Sequence, residues 1–114
     1  MFVRTKKGKI FDCLVHEQMG KPIYYPKTSE TNGYIDWNEA YKKSENIIDI
    51  LEVGDYVNGY IVLEIIKDNL GKTYIECGCK DEIAHNYIYD TFYNEDIKSI
   101  VTKEQFEAMK YKID

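Results

Sequence analysis

The most β-prone run of apolar residues lies in the middle of the chain, within residues 53–67, and turn residues precede it. Gly54-Asp55 and Asn58-Gly59 are turn pairs in this stretch, because glycine adopts positive φ freely and asparagine tolerates it. Apolar residues of the β-prone run that follows fall on both faces of an extended chain: Ile61, Leu63 and Ile65 on one face, Val62 and Ile66 on the other. The pattern therefore predicts a hairpin whose second strand is central and covered on both faces.

Shorter β-prone runs lie on both sides of this hairpin. Residues 2–5 and 10–16 are joined by a short turn around Gly8, which is typical of a second hairpin. Further extended segments are predicted at residues 23–25, 34–37, 73–79, 85–93, 97–101 and 111–113. The predicted fold class is mainly β, a small antiparallel barrel or sheet. Its predicted core consists of Phe11, Val57, Ile61, Leu63, Ile65, Ile75, Ile88 and Phe106.

Two short helical turns are predicted from their capping residues. Asn46 is a good N-cap for the first turn, and Asp49, three positions later, can reach back to the cap amide. The T-K-E-Q sequence that starts at Thr102 has the form of a capping box. In such a box the Thr102 hydroxyl accepts a hydrogen bond from the Gln105 amide, and the Gln105 side chain returns to the Thr102 amide. We therefore expect a helix over residues 103–109.

The order of elements from residue 53 onward is several antiparallel strands, a short helix and a last strand. This order resembles SH3-like small barrels, in which a helical turn separates the last two strands. The first half gives a looser version of the same order, and residues 39–57 align without gaps on residues 95–113 at an offset of ~56. A chain of 114 residues is long enough for one core. We expect one domain, and an internal duplication with residues 1–52 and 53–114 as its halves is an alternative that the alignment leaves open.

The net charge of -5 is unevenly distributed along the chain. Residues 1–43 hold eight basic and five acidic residues, a net charge of +3, whereas residues 44–114 hold seven and fifteen, a net charge of -8. Polymeric nucleic acid is not an expected partner, because its affinity comes mostly from phosphates neutralised by lysine and arginine. The basic first part could instead hold a small anion.

No segment has the pattern of a secretory leader, and no apolar run approaches the ~20 residues that a membrane-spanning helix needs. Cys13, Cys77 and Cys79 are an odd number of cysteines without the spacing of a disulfide framework. We therefore expect a cytoplasmic protein with reduced thiols and no membrane association.

Zinc binding is the alternative use of the thiols. Cys77 and Cys79 point to one face of a strand and, with His85 and Cys13 or His16, could supply soft tetrahedral ligands. Structural zinc sites usually carry two close ligand pairs, and this sequence has one. We therefore expect buried thiols, no metal and no cofactor. We also expect no catalytic residue, because no third group can be nominated to orient a Cys–His pair.

Aromatic residues give a more informative pattern. An extended chain over residues 85–93 places Ile88 and Phe92 on the side that would face the core. The opposite side carries four ring-bearing residues, here called the Tyr stripe: His85, Tyr87, Tyr89 and Tyr93. Tyrosine suits stacking on a base or contact with a protein. A second core layer or a homodimer seam is the alternative interpretation of the stripe.

Basic residues of the first hairpin are the candidate phosphate contacts: Arg4, Lys6, Lys7 and Lys9. Together with the Tyr stripe they form the predicted ligand-binding set. A lysine-rich hairpin tip is also typical of a solvated strand edge that resists aggregation, so this alternative stays open. A nucleotide needs several cations that converge on one pocket, whereas a protein partner needs only a broad patch. The position of the lysines relative to the Tyr stripe would therefore distinguish the two.

Three stretches carry a resemblance: NIIDILEVGDYVNG at residues 46–59, DIKSIVTKEQFEAMKYKI at residues 96–113 and RTKKGKIFD at residues 4–12. The first two resemble segments of small uncharacterised proteins from phages and prophages of Gram-positive, Clostridium-like bacteria. The third is similar to the RTKDG-type start of the same proteins. That group has no known catalytic motif, so the resemblance assigns no functional residue. It implies a small accessory phage protein that acts on host physiology or counters host defence.

Two functions follow from these patterns. The first is a non-enzymatic phage protein that binds and sequesters a nucleotide-like host defence signal, with rings stacked on bases and cations on phosphates. The second is a protein inhibitor, similar in role to an anti-CRISPR protein, that docks on a host defence enzyme through the Tyr-rich, acidic surface. The expected partner is thus a nucleotide-like small molecule or a host defence protein, and self-association into a homo-oligomer is a further expectation.

Overall fold

The protein forms two compact units in the computed structural model, Met1–Ile50 (the first unit) and Leu51–Asp114 (the second unit). The structure describes residues 1–28, 33–81, 83 and 86–109. Within these residues each unit contains a five-stranded antiparallel sheet, and one of the two sheets is curled into a half-barrel. The mainly β, antiparallel fold class is thereby confirmed. One domain with halves at residues 1–52 and 53–114 stays a prediction, as does the SH3-like resemblance.

Ten strands, one α-helix and two 3₁₀ turns make up the described chain. The strands of the first unit are β1 (Phe2–Thr5), β2 (Ile10–Gln18), β3 (Lys21–Pro26), β4 (Ile35–Asp36) and β5 (Ala40–Ser44), followed by a 3₁₀ turn at Ile47–Ile50. The strands of the second unit are β6 (Tyr56–Val57), β7 (Tyr60–Lys67), β8 (Thr73–Asp81), β9 (Asn86–Tyr93) and β10 (Ile100–Val101). A 3₁₀ turn at Asn94–Asp96 precedes β10, and helix α1 (Lys103–Met109) follows it.

The order of strands is the same in the two sheets. The first sheet has the order β4-β3-β2-β1-β5 and the second has the order β10-β6-β7-β8-β9. In each sheet four strands form an antiparallel meander, and the fifth strand returns to pair with the first. A helical segment follows the fifth strand in both units, starting at Ile47 and at Lys103, which are separated by the offset of the predicted repeat. A duplication would produce this arrangement, although the duplication itself stays a prediction.

The first unit is held together by a small buried cluster. Each of its first four strands contributes one member: Val3, Cys13, Tyr24 and Ile35. Met1, Phe11 and Ala40 are partly buried and pack against these four. The strand order explains the cluster, because the meander brings the inward side chains of neighbouring strands onto one face.

A bulge in β7 makes the predicted division of its faces wrong. Val62 pairs with Cys77 of β8, and Ile65 pairs with Ile75. The two β8 residues are two positions apart, whereas their partners on β7 are three positions apart. The extra residue at Leu63 reverses the alternation of side chains. Val62 and Ile65 therefore share the face of the buried residues Cys77 and Ile75, instead of lying on opposite faces.

The predicted core is confirmed at two positions, Val57 and Ile75, which are fully buried. The prediction is wrong for four residues with exposed side chains, Leu63, Ile65, Ile88 and Phe106. The bulge leaves Leu63 without a partner on β8, and Ile88 lies on a strand at the edge of its sheet. Other buried apolar residues of the second unit are Leu51, Val62 and Cys77.

The helix caps follow the sequence closely. At α1 the Gln105 amide donates to the Thr102 hydroxyl at 3.2 Å, and the Thr102 amide donates to Gln105 Oε1 at 3.0 Å, which confirms the capping box. The cap of the first turn is different in detail. The Ser44 hydroxyl accepts from the Asn46 amide at 3.1 Å and donates to Asp49 at 2.8 Å. The predicted direct bond between Asp49 and the Asn46 amide is therefore wrong, since Ser44 relays it.

Two further differences concern the last third of the chain. The 3₁₀ turn at Asn94–Asp96 was not predicted; it is closed by the Asp96 carboxylate, which accepts from the Tyr93 amide at 2.9 Å. This turn shortens the predicted strand at residues 97–101 to Ile100–Val101. The predicted strand at residues 111–113 lies outside the described residues.

No helix of the described chain is long and apolar enough to cross a membrane.

Candidate functional site

The turn between β1 and β2 presents lysines on a well-fixed backbone. The Thr5 amide donates to the Lys9 carbonyl at 2.8 Å, and the Lys9 amide donates to the Thr5 hydroxyl at 3.1 Å. Gly8 closes the turn with φ of +85°, a conformation that costs glycine little. Its amide donates to the Thr5 carbonyl at 3.0 Å. Lys6, Lys7 and Lys9 are exposed around this turn, and we call them the Lys tip.

A second turn lies against the Lys tip. Backbone hydrogen bonds join the Lys6 amide to the Glu39 carbonyl at 3.3 Å and the Glu39 amide to the Asp36 carbonyl at 2.9 Å. These bonds tie the connection between β4 and β5 to the end of β1. Two segments that are far apart in sequence therefore form one rim in the first unit.

A surface cavity of about 550 Å³ opens at this rim. All three lysines of the Lys tip line the cavity, together with Glu39. Its apolar wall comes from Phe11, Pro26, Tyr34 and Ile35. A cavity of this size is in the range of small-molecule sites, which combine apolar walls with a few convergent polar groups.

The charges that line the cavity favour an anion. Three lysines and one glutamate line it, so the lining residues carry a net charge of +2 within a chain whose net charge is -5. The Tyr34 ring is exposed, and its centroid lies 6.0 Å from that of the Tyr25 ring, which limits its rotation. The cavity thus places a planar ring beside cations, an arrangement that suits a phosphate attached to an aromatic base.

Arg4, another predicted phosphate contact, is fully buried and is not among the cavity residues. Its guanidinium donates a hydrogen bond of 3.1 Å from Nη1 to the carbonyl oxygen of Ile50. That carbonyl lies at the end of the 3₁₀ turn, where unsatisfied carbonyl groups concentrate negative charge. The structure therefore gives Arg4 the role of fixing the turn at Ile47–Ile50 against β1.

The Tyr stripe lies on the outer face of β9. Ile88 and Phe92 pair with Cys79 and Ile75 on the core side, so the odd-numbered positions point outward. Tyr87 and Tyr89 are 57% and 69% exposed, and their rings stack with centroids 6.0 Å apart.

Tyr93, at the far end of β9, is in a different environment from Tyr87 and Tyr89. Its ring contacts Tyr74 at a centroid distance of 5.5 Å, and the Lys72 ammonium lies 4.6 Å from its centroid. His85, the remaining predicted member of the stripe, lies outside the described residues.

The predicted ligand-binding residues fall into both units. The structure brings Lys6, Lys7 and Lys9 together in the first unit, whereas Tyr87, Tyr89 and Tyr93 belong to the second. Sequence reasoning missed the cavity residues Phe11, Tyr34 and Glu39 as parts of a site. The signal was weak, because only the pairing of the strands in the first sheet reveals that these segments meet.

The cysteines show little sign of reactivity. Burial raises the pKa of the Cys77 thiol to about 11, and the nearby Asp90 carboxylate acts in the same direction. Burial likewise raises the pKa of Cys13. The thiolate is the form that binds zinc or attacks a substrate, so both sites disfavour that chemistry. Among the residues that the structure describes, no group of three or more His, Cys, Asp or Glu side chains is placed to hold a metal ion.

The walls of the Lys-lined cavity combine three kinds of chemistry. The lysines supply charge, Tyr34 and Phe11 supply flat apolar surface, and Glu39 supplies a hydrogen-bond acceptor. Comparisons with protein families, curated proteins and solved structures find no match to this chain.

Proposed function

We propose that the protein is a non-enzymatic binder of a nucleotide-like small molecule, held in the Lys-lined cavity of the first unit. The observation that carries this proposal is the convergence of Lys6, Lys7 and Lys9 with the Tyr34 ring around one cavity of about 550 Å³. A mononucleotide or cyclic nucleotide is small enough for such a cavity. In this proposal the lysines keep the role that the sequence analysis gave them, and Tyr34 takes the stacking role that was expected of the Tyr stripe.

Phosphate recognition is the task of the Lys tip. Lysine ammonium groups bind phosphate as point charges, and three of them on one turn match a ligand that carries two or more negative charges. The backbone of this turn is already fixed by its hydrogen bonds to Thr5, so the main ordering cost on binding is that of the lysine side chains.

Recognition of the remainder of the ligand falls to the apolar wall and to Glu39. Tyr34 offers an exposed ring on which a base can stack, and Phe11 and Pro26 supply the adjoining apolar surface. The Glu39 carboxylate repels phosphate but accepts hydrogen bonds from ribose hydroxyls or from an exocyclic amine. Its presence favours a nucleoside phosphate over inorganic phosphate alone.

The biological setting of the proposal comes from the resemblance to phage proteins. A small phage protein that holds a nucleotide without converting it would lower the free concentration of a host defence signal. Sequestration needs affinity and abundance and does not need turnover, so it is consistent with a cavity lined by lysines and aromatic residues.

Isothermal titration calorimetry against a panel of linear and cyclic nucleotides tests the proposal. Tyr34→Ala should weaken the best ligand by roughly 1 to 3 kcal/mol, the usual range for loss of one stacked base. Lys9→Glu should weaken the same ligand by a comparable amount, since a charge-assisted contact becomes a repulsion. Lys21→Glu is the matched control, because Lys21 belongs to the first unit and lies over the Trp37 ring, outside the cavity.

Two results would count against the cavity as the nucleotide-binding site. Saturating nucleotides that produce no heat with the wild-type protein would reject nucleotide binding. A ligand whose affinity falls in Tyr87→Ala and is unchanged in Tyr34→Ala would return the stacking role to the Tyr stripe. Circular dichroism on every variant shows that the change in affinity does not come from unfolding.

A further inference from the structure

The four edge strands of the two sheets differ in how well they are protected from pairing with another chain. β4 and β10 are two residues long, and β5 is a five-residue strand that carries Lys42 and Lys43 and has a bulge at Tyr41 in its pairing with β1. Short length, lysines and bulges are the usual ways in which proteins blunt a sheet edge. β9 has none of them: it is eight residues long, contains no Lys or Pro and pairs with β8 in unbroken register.

Hydrogen bonds at one end of β9 show which backbone groups face the open edge. The Thr91 amide donates to its neighbour Asp90 at 2.8 Å, and the Tyr93 amide donates to Asp96 at 2.9 Å. Neither amide is thus engaged by β8, and in an antiparallel pair every second residue directs its amide away from the partner strand. By the same alternation the amides of Tyr87 and Tyr89 point to the open edge.

The two ends of β9 therefore differ. The outward amides of Thr91 and Tyr93 donate hydrogen bonds to side-chain carboxylates. Within the described chain, no group accepts a hydrogen bond from the outward amides of Tyr87 and Tyr89. Side chains on both faces are uncovered at the same place, since Tyr87, Ile88 and Tyr89 are 57%, 45% and 69% exposed. Backbone donors and apolar side chains are thus both available over Tyr87–Ile88–Tyr89.

Charge indicates what would pair with this edge. β8 and β9 together hold one basic residue against three acidic ones, and residues 51–114 hold seven basic against thirteen acidic, a net charge of -6. Glu64 and Glu76 face each other across β7 and β8, an arrangement of like charges that a nearby cation would relieve. A second copy of the chain would bring the same negative charge to the edge, whereas a basic segment would neutralise it.

We propose that the edge of β9 at Tyr87–Ile88–Tyr89 binds an extended, arginine- or lysine-containing segment of a partner protein, which adds to the sheet as a further strand. Main-chain hydrogen bonds to the outward amides give such a segment its hold, and its alternating side chains give specificity. Cations on the outer face lie against the Tyr87 and Tyr89 rings, and a cation on the opposite face lies near Asp90. This site is independent of the nucleotide cavity and uses residues of the second unit only.

A defined probe tests the proposal: a short acetylated and amidated peptide of alternating arginine and valine, titrated by fluorescence anisotropy into the full-length protein. The informative pair of variants is Tyr89→Pro and Tyr89→Val. Both remove the ring, but only proline removes the outward amide, and it leaves the ladder to β8 intact. We expect saturable binding to the wild type and an affinity at least about tenfold weaker for Tyr89→Pro than for Tyr89→Val.

Control peptides keep the test decisive even where Tyr89→Pro lowers stability. N-methylation of alternate backbone amides of the probe should abolish binding, and replacing its arginines by glutamates should weaken binding at least about tenfold. The proposal would be overturned if Tyr89→Pro and Tyr89→Val bound the probe with equal affinity. It would also be overturned if the wild-type protein bound the methylated or the acidic probe as tightly as the original probe. A wild-type dimer in sedimentation experiments that Tyr89→Pro dissociates would also overturn it, because the edge would then belong to a second copy of this chain.

Discussion

The carboxylate of Asp55 accepts a hydrogen bond of 2.9 Å from the backbone amide of Lys103, the first residue of α1. Its second oxygen accepts from the Glu52 amide at 2.7 Å, and the side chain is fully buried. The Asp55 carbonyl in turn accepts from the Val62 amide at 2.7 Å. One aspartate thus joins the turn before β6, the start of β7 and the N-terminus of a helix that follows much later in the chain.

We expect Asp55→Ala to lower the free energy of unfolding by roughly 2 to 4 kcal/mol, because two charge-assisted hydrogen bonds are lost and two amides are left without their acceptor. Asp55→Asn keeps one carbonyl oxygen in the same place and should cost less. Urea unfolding followed by circular dichroism measures both values. Equal losses in the two variants would mean that negative charge, and not the number of acceptors, is what the site requires.

Thr102→Ala should lower the free energy of unfolding by about 1 kcal/mol through loss of the α1 cap. The hydroxyl is buried and accepts from the Gln105 amide at 3.2 Å, so water does not replace it easily. Thr102→Ser retains the hydroxyl and is the matched control, with a smaller expected loss. A denaturant midpoint that is unchanged within error in Thr102→Ala would show that the cap contributes little.

The sequence predicted local features of the fold well and distant ones poorly, and Thr102 and Asp55 illustrate the difference. The capping box depends on residues three positions apart, so its chemistry is visible in the sequence itself. The bond from Asp55 to Lys103 joins residues 48 positions apart and becomes visible only when the two segments are brought together. The bulge at Leu63 is similar, since nothing in a run that is apolar on both faces reveals one unpaired position.

The candidate site shows the same difference between local features, which could be predicted from sequence, and distant ones, which could not. Lys6, Lys7 and Lys9 surround a turn that could be predicted from sequence, and their convergence is a local property. Tyr34 and Glu39 reach the cavity through the pairing of β4 with β3 and of β5 with β1. Aromatic and acidic residues that lie singly in turns carry no pattern, so sequence alone directed attention to the regular alternation in β9.

Stability should fall between about pH 9 and pH 11 because of Cys77. Burial raises the pKa of this thiol from 9.0 to about 11, so the folded protein retains a proton that the unfolded chain loses in this range. The contribution of Cys77 to stability is therefore constant below about pH 9 and decreases as the pH rises through the window, by roughly 2 to 3 kcal/mol in total. Urea unfolding at a series of pH values measures the slope.

Cys77→Ala is the control that separates this thiol from the tyrosines and lysines, which titrate in the same range. The variant should be less stable at pH 7, because a buried side chain becomes smaller, but its stability should depend less steeply on pH above about 9. Parallel pH profiles for the wild type and Cys77→Ala would contradict the proposed coupling.

Removal of metal should leave the melting temperature unchanged. A structural zinc ion contributes much of the folding free energy of a small domain, so a zinc-dependent fold melts far earlier in the presence of a chelator. The raised pKa values of Cys13 and Cys77 disfavour the thiolates that such a site requires. Differential scanning fluorimetry with and without EDTA makes the comparison, and a large decrease with EDTA would overturn the prediction of thiols without metal.

Salt should affect nucleotide binding in opposite directions in the wild-type protein and in the double variant Lys6→Glu/Lys7→Glu. Both lysines are exposed at the rim of the cavity, where the Debye length sets how far their charge acts. Lowering the salt concentration strengthens attraction in the wild type and strengthens repulsion in the variant, so the ratio of their affinities should widen as salt falls. Titration calorimetry at several salt concentrations measures this ratio. Lys21→Glu has one charge reversed away from the cavity, and its affinity should follow that of the wild type. If the double variant instead kept a wild-type salt dependence, the phosphate would have to bind away from the Lys tip.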